Sequence, residues 1–502
     1  MSSYLAKNGT NAFWTRPLNF IAGERVRPTN VNRSQTFPVV EPATGKILCE
    51  SPSSGKEDVD RAVKVAHEAF KTWSQVPAIE RSRILQRAAR KLSDNLEEFA
   101  RLETTDNGKP IWEARCDIES AINAIDFYAG LAPSLTGQHI PCPDGSFAYT
   151  RREPLGVCVG IGAWNYPIQM AGWKSAPALA CGNTMVFKPS QFTPATALLL
   201  AELYAECGLP KGVFNVVQGQ GETGHLLTSH PDVKKISFTG NVATGKLIMK
   251  NCADDIKTLT LELGGKSPLL IFGDADLENA AKGAIMANFL TQGEVCSNAS
   301  RVFVERSIMD EFVKKFIERT KKMKIGDPHL EDTTFGALIS KEHQDKVMRY
   351  IEGAKKEGAR ILLGGECVTP EDPALAGGFY ISPTIMDNVT DDMVIAREEV
   401  FGPVALIMPF ESEEEAIERA NNTQLGLACG MFTKDVQRAH RVAAKLEAGN
   451  CWINNYNNLP PGVPFGGYKQ SGLGRENGSA TIEHYTQLKT VYLEAGDVDC
   501  PV

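Results

Sequence analysis

A cysteine and a glutamate in two glycine-containing segments are the residues of this sequence best suited to covalent chemistry. Cys296 lies in residues 293–298, and Glu262 lies in residues 261–266. A thiol can attack an electrophilic carbon, and a carboxylate can activate water, so the two groups could form and then hydrolyse a covalent intermediate. Together they predict a cysteine enzyme.

Short apolar runs separated by helical segments predict the fold. Apolar residues at helical spacing predict that the first hundred residues are mostly helical. Beyond them, apolar runs bounded by turn residues alternate with helices, as is typical of a doubly wound α/β sheet. The predicted strands are residues 157–161, 184–187, 213–217, 235–238 and 259–263. A second α/β series, interpreted as a catalytic domain, has predicted strands at residues 301–304, 361–363, 404–408 and 451–454.

Four polar residues follow these strands at or just beyond their C-terminal ends: Asn165, Lys188, Thr239 and Glu262. Open α/β sheets bind ligands at this edge, so the four residues define a candidate site without any further argument. Asp274 is predicted to cap a helix over residues 277–292, whose end leads to Cys296.

Composition narrows the class of protein. The 502 residues carry a net charge of -8, which gives no basic surface for nucleic acid, and about three domains are expected from the length. No run of about 18 apolar residues predicts a membrane span.

Twelve dispersed cysteines resemble neither a disulfide framework nor a zinc site, so no metal is expected, and a cytoplasmic location is predicted. Residues 1–16 have no secretory pattern, and a weak mitochondrial presequence stays open.

The two candidate segments resemble the signature segments of the aldehyde dehydrogenase superfamily. The glutamate segment spans residues 261–268, and the cysteine segment spans residues 289–300. Further matching blocks follow in order at residues 164–167, 187–190, 237–240, 399–403 and 464–467. Within the superfamily, residues 154–166 are most similar to the trimethylaminobutyraldehyde and betaine aldehyde dehydrogenases of animals.

The resemblance implies an α/β fold with a Rossmann-like NAD-binding domain, an α/β catalytic domain and a small β oligomerisation domain. The NAD-binding domain would consist of residues 1–131 and 154–263, and the catalytic domain of residues 264–470. The oligomerisation domain would consist of residues 132–153 and 479–502. Within the third domain, residues 147–152 and 488–493 are strand-like, and an open edge strand invites pairing with another chain. A homo-oligomer, either a dimer or a tetramer, is therefore expected.

The resemblance also implies a catalytic sequence for an aldehyde substrate. Cys296 would attack the aldehyde as a thiolate, so its surroundings are expected to favour the anion. The Asn165 side chain and the Cys296 backbone N–H would bind the oxyanion, although Asn165 could instead be a turn residue before Pro167. After hydride transfer to NAD, Glu262 would activate the water that hydrolyses the thioester.

Two neighbouring turns compete for the cofactor pyrophosphate. Residues 219–224 form a literal Gly-x-Gly-x-x-Gly, but the acidic residue expected about 20 positions later is missing. The resemblance favours the next turn, residues 239–245, where glycines allow close approach and a helix begins. It assigns Lys188 and Glu399 to the two riboses and places Phe401 beside the nicotinamide. The cofactor-binding candidates are Trp164, Lys188, Gly221, Thr239, Gly240, Asn241, Val242, Ala243, Thr244, Gly245, Glu399 and Phe401.

The choice between the two nicotinamide dinucleotides depends on one position. Gln191 stands where many NAD-selective members of the family carry an acidic residue. A neutral amide would not repel a 2′-phosphate, so NAD is the expected cofactor and NADP stays open.

Four aromatic residues are candidates for the substrate site. Tyr166 and Trp173 are seven residues apart and share one face if Pro167 begins a helix. Aromatic faces attract quaternary ammonium groups, so these rings, with Trp452 and Phe465, could select an aminoaldehyde. The alternative is that the rings only pack in the core.

Two departures from the family pattern bear on activity. Glu294 stands where glutamine is common and could oppose ionisation of the nearby thiol. Ala299 stands where relatives usually have glycine and would strain the loop if that position needs a positive φ. A broad-specificity dehydrogenase and a weakly active or non-catalytic structural descendant therefore remain alternatives. A papain-like hydrolase would need a histidine partner, and none of the eight histidines lies near either segment in sequence.

Overall fold

The computed structural model describes residues 18–29 and 36–502, so the presequence prediction for residues 1–16 lies outside the described residues. Two strand pairs precede four helices. These elements are β1 (Asn19–Ile21), β2 (Glu24–Val26), β3 (Thr36–Val40), β4 (Ile47–Pro52), α1 (Lys56–Trp73), α2 (Ala78–Asp94), α3 (Leu96–Asn107) and α4 (Ile111–Leu131). The expectation of a mostly helical first hundred residues was therefore wrong before Lys56, because these strands are short and only partly apolar.

A strand pair and then a series of alternating strands and helices follow along the chain. They are β5 (His139–Pro141), β6 (Phe147–Pro154), β7 (Val157–Ile161), α5 (Pro167–Ala180), β8 (Thr184–Lys188), α6 (Ala195–Glu206), β9 (Phe214–Val216), α7 (Gly221–Thr228), β10 (Val233–Thr239), α8 (Val242–Ala253) and β11 (Thr258–Glu262). All five predicted strands of this region are confirmed to within two residues at either end.

Strands β7 to β11 form the parallel centre of an eight-stranded sheet with the order β9-β8-β7-β10-β11. Strands β1 and β2 extend one edge of this sheet. Its two faces are buried by different helices: Cys158 packs in the cluster with α4 to α6, whereas Val157 and Val159 pack against α1, α7 and α8. A parallel sheet covered on both faces explains the continuous apolar runs in the sequence.

The second half of the chain builds a seven-stranded sheet and its helices. The elements are β12 (Pro268–Ile271), α9 (Leu277–Asn288), β13 (Arg301–Glu305), α10 (Met309–Thr320), α11 (Lys341–Glu357), β14 (Arg360–Leu363), β15 (Cys367–Val368), β16 (Tyr380–Ile381), β17 (Thr384–Asp387), α12 (Val394–Arg397), β18 (Val404–Phe410), α13 (Glu413–Asn421), β19 (Leu425–Gly426), β20 (Ala428–Phe432), α14 (Val436–Ala443) and β21 (Asn450–Ile453). The strand order is β14-β17-β18-β13-β12-β20-β21, and all neighbours except β14 and β17 are parallel.

The sequence prediction missed three strands of this sheet: β12, β17 and β20. Two of them have four residues each, and the third contains a cysteine and a glycine that weaken the strand signal. Gly430 in β20 is needed for packing, because a Cβ there would lie 2.6 Å from the Tyr456 ring.

The chain ends in β22 (Tyr468–Lys469), β23 (Gly472–Leu473) and β24 (Thr486–Leu493). Strand β23 pairs with β11, and Gly472 lies opposite Glu262. Strands β24, β6 and β5 form a separate antiparallel sheet in which Thr490 lies opposite Thr150. The two strand-like segments therefore pair with each other. The domain boundaries stay predictions, and none of the described helices is long and apolar enough to cross a membrane.

The helix that leads to Cys296 begins and ends differently from the prediction. Its N-cap is Asp276, whose side chain accepts hydrogen bonds from the backbone N–H groups of Glu278 and Asn279. Asp274, the predicted cap, instead accepts bonds from Thr433 in the loop after β20 and from Arg438 in α14. The helix ends at Asn288 rather than at residue 292, because Phe289 leaves the helical conformation and Thr291 and Gln292 are left-handed.

Replacing Asp276 with alanine should lower the free energy of unfolding by about 1 kcal/mol, because the cap bonds are lost and the side chain is otherwise exposed. Asp276→Ser should retain most of this stability. Urea unfolding of the two variants measures the difference, and an Asp276→Ala variant as stable as the unmodified protein would contradict this assignment of the cap.

Candidate active site

Two cavities meet at three of the residues singled out from the sequence. One cavity has a volume of about 480 Å³ and lies at the C-terminal ends of β7, β8, β10 and β11. The other has a volume of about 330 Å³ and lies against α4 and α5. Thr239, Glu262 and Cys296 line both. A group bound in either cavity would therefore reach the same thiol and carboxyl.

The glycines of the glutamate segment allow the two sequence segments to touch. A Cβ at Gly265 would lie 2.5 Å from the Cys296 carbonyl oxygen, and one at Gly264 would lie 2.1 Å from Glu399 Oε2. Real Cβ atoms do not approach other atoms so closely, so only glycine fits at position 265, where the contact is with backbone, and a side chain at position 264 would displace the Glu399 carboxyl. The pair therefore brings Cys296, Glu262 and Glu399 to one place.

A strained turn presents the cysteine. After α9, Thr291 and Gln292 have φ values of 47° and 53°, which cost energy in residues with a side chain. The Glu113 carboxylate stabilises this turn by accepting bonds from both the backbone N–H and the hydroxyl of Thr291, each at 2.8 Å. Sequence reasoning missed Glu113, because nothing in the spacing of α4 connects it with the cysteine segment.

The surroundings of the thiol do not favour the anion. Burial, with smaller effects from the Glu399 and Glu262 carboxyl groups, raises the pKa of Cys296 to about 12. The expectation of a resting thiolate was therefore wrong, because burial in the protein disfavours the charged form. The thiol is protonated at neutral pH when the cavities hold no other charge.

Glu262 is a buried carboxyl that has no hydrogen-bond partner among the described residues for either oxygen. Burial, followed by the nearby Glu476 carboxyl, raises its pKa well above the ordinary value. Glu476 lines the smaller cavity, is ion-paired with Lys174 and accepts a hydrogen bond from Ser237 at 2.8 Å. Once ionised, a carboxylate with two free oxygens and a raised pKa is a stronger base than usual and is suited to take a proton from water.

Asn165 follows β7 and lines the larger cavity together with Cys296. Its Nδ2 donates to the carbonyl oxygen of Glu294 at 2.8 Å. This bond anchors the Asn165 side-chain amide to the backbone two residues before the cysteine. A side-chain amide has two N–H donors, so the second is left for a ligand. The turn-residue alternative for Asn165 is therefore less favoured than a donor at the cysteine.

The two departures from the family pattern do not disturb the site. Burial raises the pKa of Glu294 well above its usual range, so the side chain is a neutral acid that does not oppose ionisation of the thiol. Its Oε1 accepts a bond from the Ile339 N–H at 3.0 Å. Ala299 is not among the residues with positive φ, and its N–H donates to the Ala287 carbonyl at 2.8 Å. The expected strain at this position is absent.

The helices that follow β9 and β10 both point their N-termini at the larger cavity. Gly221 and Gly224 of the literal glycine motif line it, as do Thr239, Gly240, Asn241 and Thr244 of the next turn. Val242, Ala243 and Gly245 do not line it. Gly245 serves packing instead, because a Cβ there would lie 2.7 Å from the Leu263 side chain.

Lys188 is buried rather than exposed to solvent. Its Nζ donates to the carbonyl oxygens of Pro189 and Gly219, at 2.9 and 2.7 Å, and burial lowers its pKa to about 8. The bond to Gly219 ties the end of β8 to the literal glycine motif, and the neutral Gln191 lines the same part of the cavity.

At the other end of the larger cavity, Glu399 accepts a bond from the Gly265 N–H at 3.1 Å, and burial raises its pKa to about 7. Phe401 has a φ of 59°, and its ring meets Trp164 edge-on at 5.2 Å. His343 also lines this end and is bonded to the Phe401 carbonyl at 2.7 Å. Sequence reasoning missed His343, which lies on α11 in no recognisable motif.

The smaller cavity combines aromatic rings with carboxyl groups. Pro167 begins α5, and Tyr166 and Trp173 both line the cavity, together with Trp452 and Phe465. Trp173 donates to Ser120 at 3.2 Å, and its ring meets Phe465 edge-on at 6.1 Å. These rings therefore face a cavity instead of only filling the core.

Two carboxyl groups of α4 complete this wall. Burial raises the pKa of Glu113 to about 7 and that of Asp117 to about 6, although the nearby Lys109 lowers both. The Lys109 ammonium lies 4.2 Å from the centre of the Tyr166 ring, so one face of that ring already carries a cation. The remaining rings face the cavity, Glu113 is bound through only one of its oxygens, and Asp117 is ion-paired with Lys109.

Comparison with known proteins gives a consistent result. Residues 30–491 match the model of the aldehyde dehydrogenase family. The chain is 59% identical to 4-trimethylaminobutyraldehyde dehydrogenase A of Danio rerio over 483 residues, covering 96% of this chain and 95% of that one. It is 56% identical to the human 4-trimethylaminobutyraldehyde dehydrogenase over 485 residues, covering 97% and 98% of the two chains. A betaine aldehyde dehydrogenase from Staphylococcus aureus, solved in complex with NAD⁺, superposes with a TM-score of 0.93 at 40% identity and covers 97% of each chain.

Without cofactor, the rate of Cys296 alkylation by iodoacetamide should increase about tenfold for each pH unit between pH 7 and 10. The reason is that the thiolate fraction of a thiol with a pKa of about 12 rises throughout this range. Peptide mass spectrometry measures the rate, with the exposed Cys500 as internal reference. Glu399→Gln should raise the rate at pH 9, because it removes a negative charge that opposes the thiolate. A plateau below pH 9 would show that the thiol is already activated.

Proposed function

The chain belongs to the aldehyde dehydrogenase family, and we propose that it oxidises an aminoaldehyde to the carboxylic acid with NAD as the hydride acceptor. The proposed substrates are 4-trimethylaminobutyraldehyde, which the names of its relatives give, and betaine aldehyde. The observation that carries this proposal is the smaller cavity, which reaches Cys296 and is walled by aromatic rings and carboxyl groups.

The larger cavity fits the proposed cofactor. Two helix N-termini supply backbone N–H groups for a pyrophosphate, and the buried Lys188 and the half-buried Glu399 lie on the cavity wall for the two riboses. When bound, NAD supplies the acceptor for the hydride. Gln191 and Lys188 leave no carboxylate opposite a 2′-phosphate, so the enzyme should tolerate NADP while preferring NAD.

Three residues of the chain would carry the covalent chemistry. After its thiol proton passes to solvent, Cys296 attacks the aldehyde carbon as a thiolate to form a hemithioacetal anion, and loss of hydride from that carbon leaves a thioester. The free N–H of Asn165 and the Cys296 backbone N–H bind the oxyanion, and one such donor is typically worth about 3 kcal/mol. Glu262 then takes a proton from water, which hydrolyses the thioester.

The charge of the smaller cavity supports a cationic substrate. Burial makes the ionised forms of Glu113 and Asp117 costly, and a bound cation would repay part of that cost. Each aromatic contact with a quaternary ammonium adds about 0.5 to 2 kcal/mol, depending on desolvation. An uncharged aldehyde of the same size would gain neither contribution.

The second candidate is a broad-specificity aldehyde dehydrogenase. The Lys109 ammonium favours it, because this cation already compensates Asp117 and covers one face of Tyr166. The alternative of a non-catalytic descendant is disfavoured, since neither Glu294 nor Ala299 disturbs the loop that carries Cys296. A papain-like hydrolase is also disfavoured, because the ring Nε2 of His343 is bonded to the Phe401 carbonyl.

We also propose that the protein is a cytoplasmic homo-oligomer, a dimer or a tetramer. Its twelve cysteines are all free thiols, as a reducing compartment allows. The sheet of β24, β6 and β5 carries the exposed apolar residues Ile140, Leu488 and Tyr492, which a second copy would cover.

The aldehyde preference tests the proposed function. The kcat/KM for 4-trimethylaminobutyraldehyde should exceed that for 5,5-dimethylhexanal, its uncharged carbon analogue, by about tenfold or more, as expected from one or two cation–π contacts. NADH formation measures both rates. Trp173→Ala should reduce this ratio more than it reduces the rate with the neutral aldehyde. Equal efficiencies in the unmodified enzyme would favour the broad-specificity alternative.

A further inference from the structure

Lys109 is a fully buried lysine in the short connection between α3 and α4. Its Nζ is ion-paired with Asp117, donates to the main-chain carbonyl oxygen of Asn165 at 2.7 Å and lies over the Tyr166 ring. These contacts place the ammonium against three parts of the site: Asp117 on the acidic wall of the smaller cavity, the proposed oxyanion donor Asn165, and the Tyr166 ring.

A residue directly before this connection binds the preceding main-chain carbonyl. Asn107, the last residue of α3, is also fully buried, and its Nδ2 donates to the Trp164 carbonyl oxygen at 2.7 Å. Its Oδ1 accepts a bond from the Lys109 N–H at 3.3 Å. The intervening Gly108 has a φ of 87° and packs against residues 42 and 337, so the connection is itself fixed. Two successive carbonyls, those of Trp164 and Asn165, are thus each bound by a side chain of one turn.

We propose that Lys109, supported by Asn107, is a positioning residue that holds Asn165 in the orientation needed to bind the oxyanion. The inference rests on the proposed function, in which Asn165 is the donor. Lys109 fixes the main chain of Asn165, and the Glu294 carbonyl fixes one N–H of its side chain. Together these two bonds direct the remaining N–H towards Cys296.

The use of a lysine here agrees with this role. Burying an ammonium is costly unless it is paired, and a hydrophobic side chain of similar volume would fill the space at lower cost. The ammonium also links Asp117, on the wall of the substrate cavity, to the carbonyl of Asn165. The residue that partly neutralises the acidic wall therefore also orients the oxyanion donor.

A double-mutant cycle tests the inference. Lys109→Met should slow hydride transfer between about tenfold and a hundredfold, since small displacements of catalytic groups cost rates of this size. In the Asn165→Ala background the same change should have almost no effect, because there is no donor left to position. Single-turnover NADH formation is measured at saturating NAD⁺, with 5,5-dimethylhexanal as the aldehyde so that the charge of Asp117 does not enter the comparison.

Lys257→Met is the matched control. Lys257 is also buried and bonds one carboxylate, Asp255, and one carbonyl, that of Thr228 at 3.0 Å. The Lys257→Met change should leave the rate of hydride transfer unchanged. If Lys109→Met does not fold, Asn107→Ala takes its place, and its effect should likewise vanish in the Asn165→Ala background.

The outcomes separate the inference from the proposed function. If the unmodified enzyme forms NADH and Asn165→Ala slows it, equal costs of the Lys109 change in both backgrounds would mean a structural role and overturn the inference alone. If Asn165→Ala leaves hydride transfer unchanged, the donor assignment fails, and the inference fails with it. If the unmodified enzyme forms no NADH from any aldehyde, the proposed function is contradicted.

Discussion

Burial of ionisable groups around one thiol is the constraint on which the rest of the structure depends. The site contains more carboxyl groups than ammonium groups, and burial raises the pKa values of most of its acids: Glu113, Asp117, Glu262, Glu294 and Glu399. Cys296 is affected in the same way, so its thiol is protonated in the resting site. A cation bound in either cavity would lower the pKa values of these acids, since a positive charge favours each ionised form. The proposed ligands, an oxidised nicotinamide and an ammonium aldehyde, are both cations.

Bringing these groups together requires close contact between segments that are distant in the chain. Glycines at 264 and 265 let the glutamate segment touch Glu399 and the carbonyl of Cys296. Glu113 on α4 stabilises the left-handed turn before the cysteine, and the connection between α3 and α4 binds the main chain around Asn165. The helices of the N-terminal part therefore contribute to the site as well as to the core.

Local pattern was sufficient to predict the parallel centre of the first sheet and the residues at its strand ends. Lys188, Thr239 and Glu262 end three strands of this sheet, as expected from apolar runs bounded by turn residues. Other features depend on tertiary contacts that no spacing reveals. Asp276 rather than Asp274 caps α9 because Asp274 is bound by the loop after β20, and Glu113, His343 and Lys109 reach the site from elements without a motif. The pKa of Cys296 also depends on folding, because burial by distant segments is its main cause.

The central claim is that oxidation passes through an acyl group on Cys296 that Glu262 releases. Mixing the Glu262→Gln variant with NAD⁺ and 4-trimethylaminobutyraldehyde tests it most directly, with NADH followed by absorbance and the subunit by intact mass. We expect a burst of one NADH per active site, then a stall, with the mass of the subunit increased by the acyl group and the modification located at Cys296. Steady turnover by this variant, or a burst that leaves Cys296 unmodified, would contradict the account.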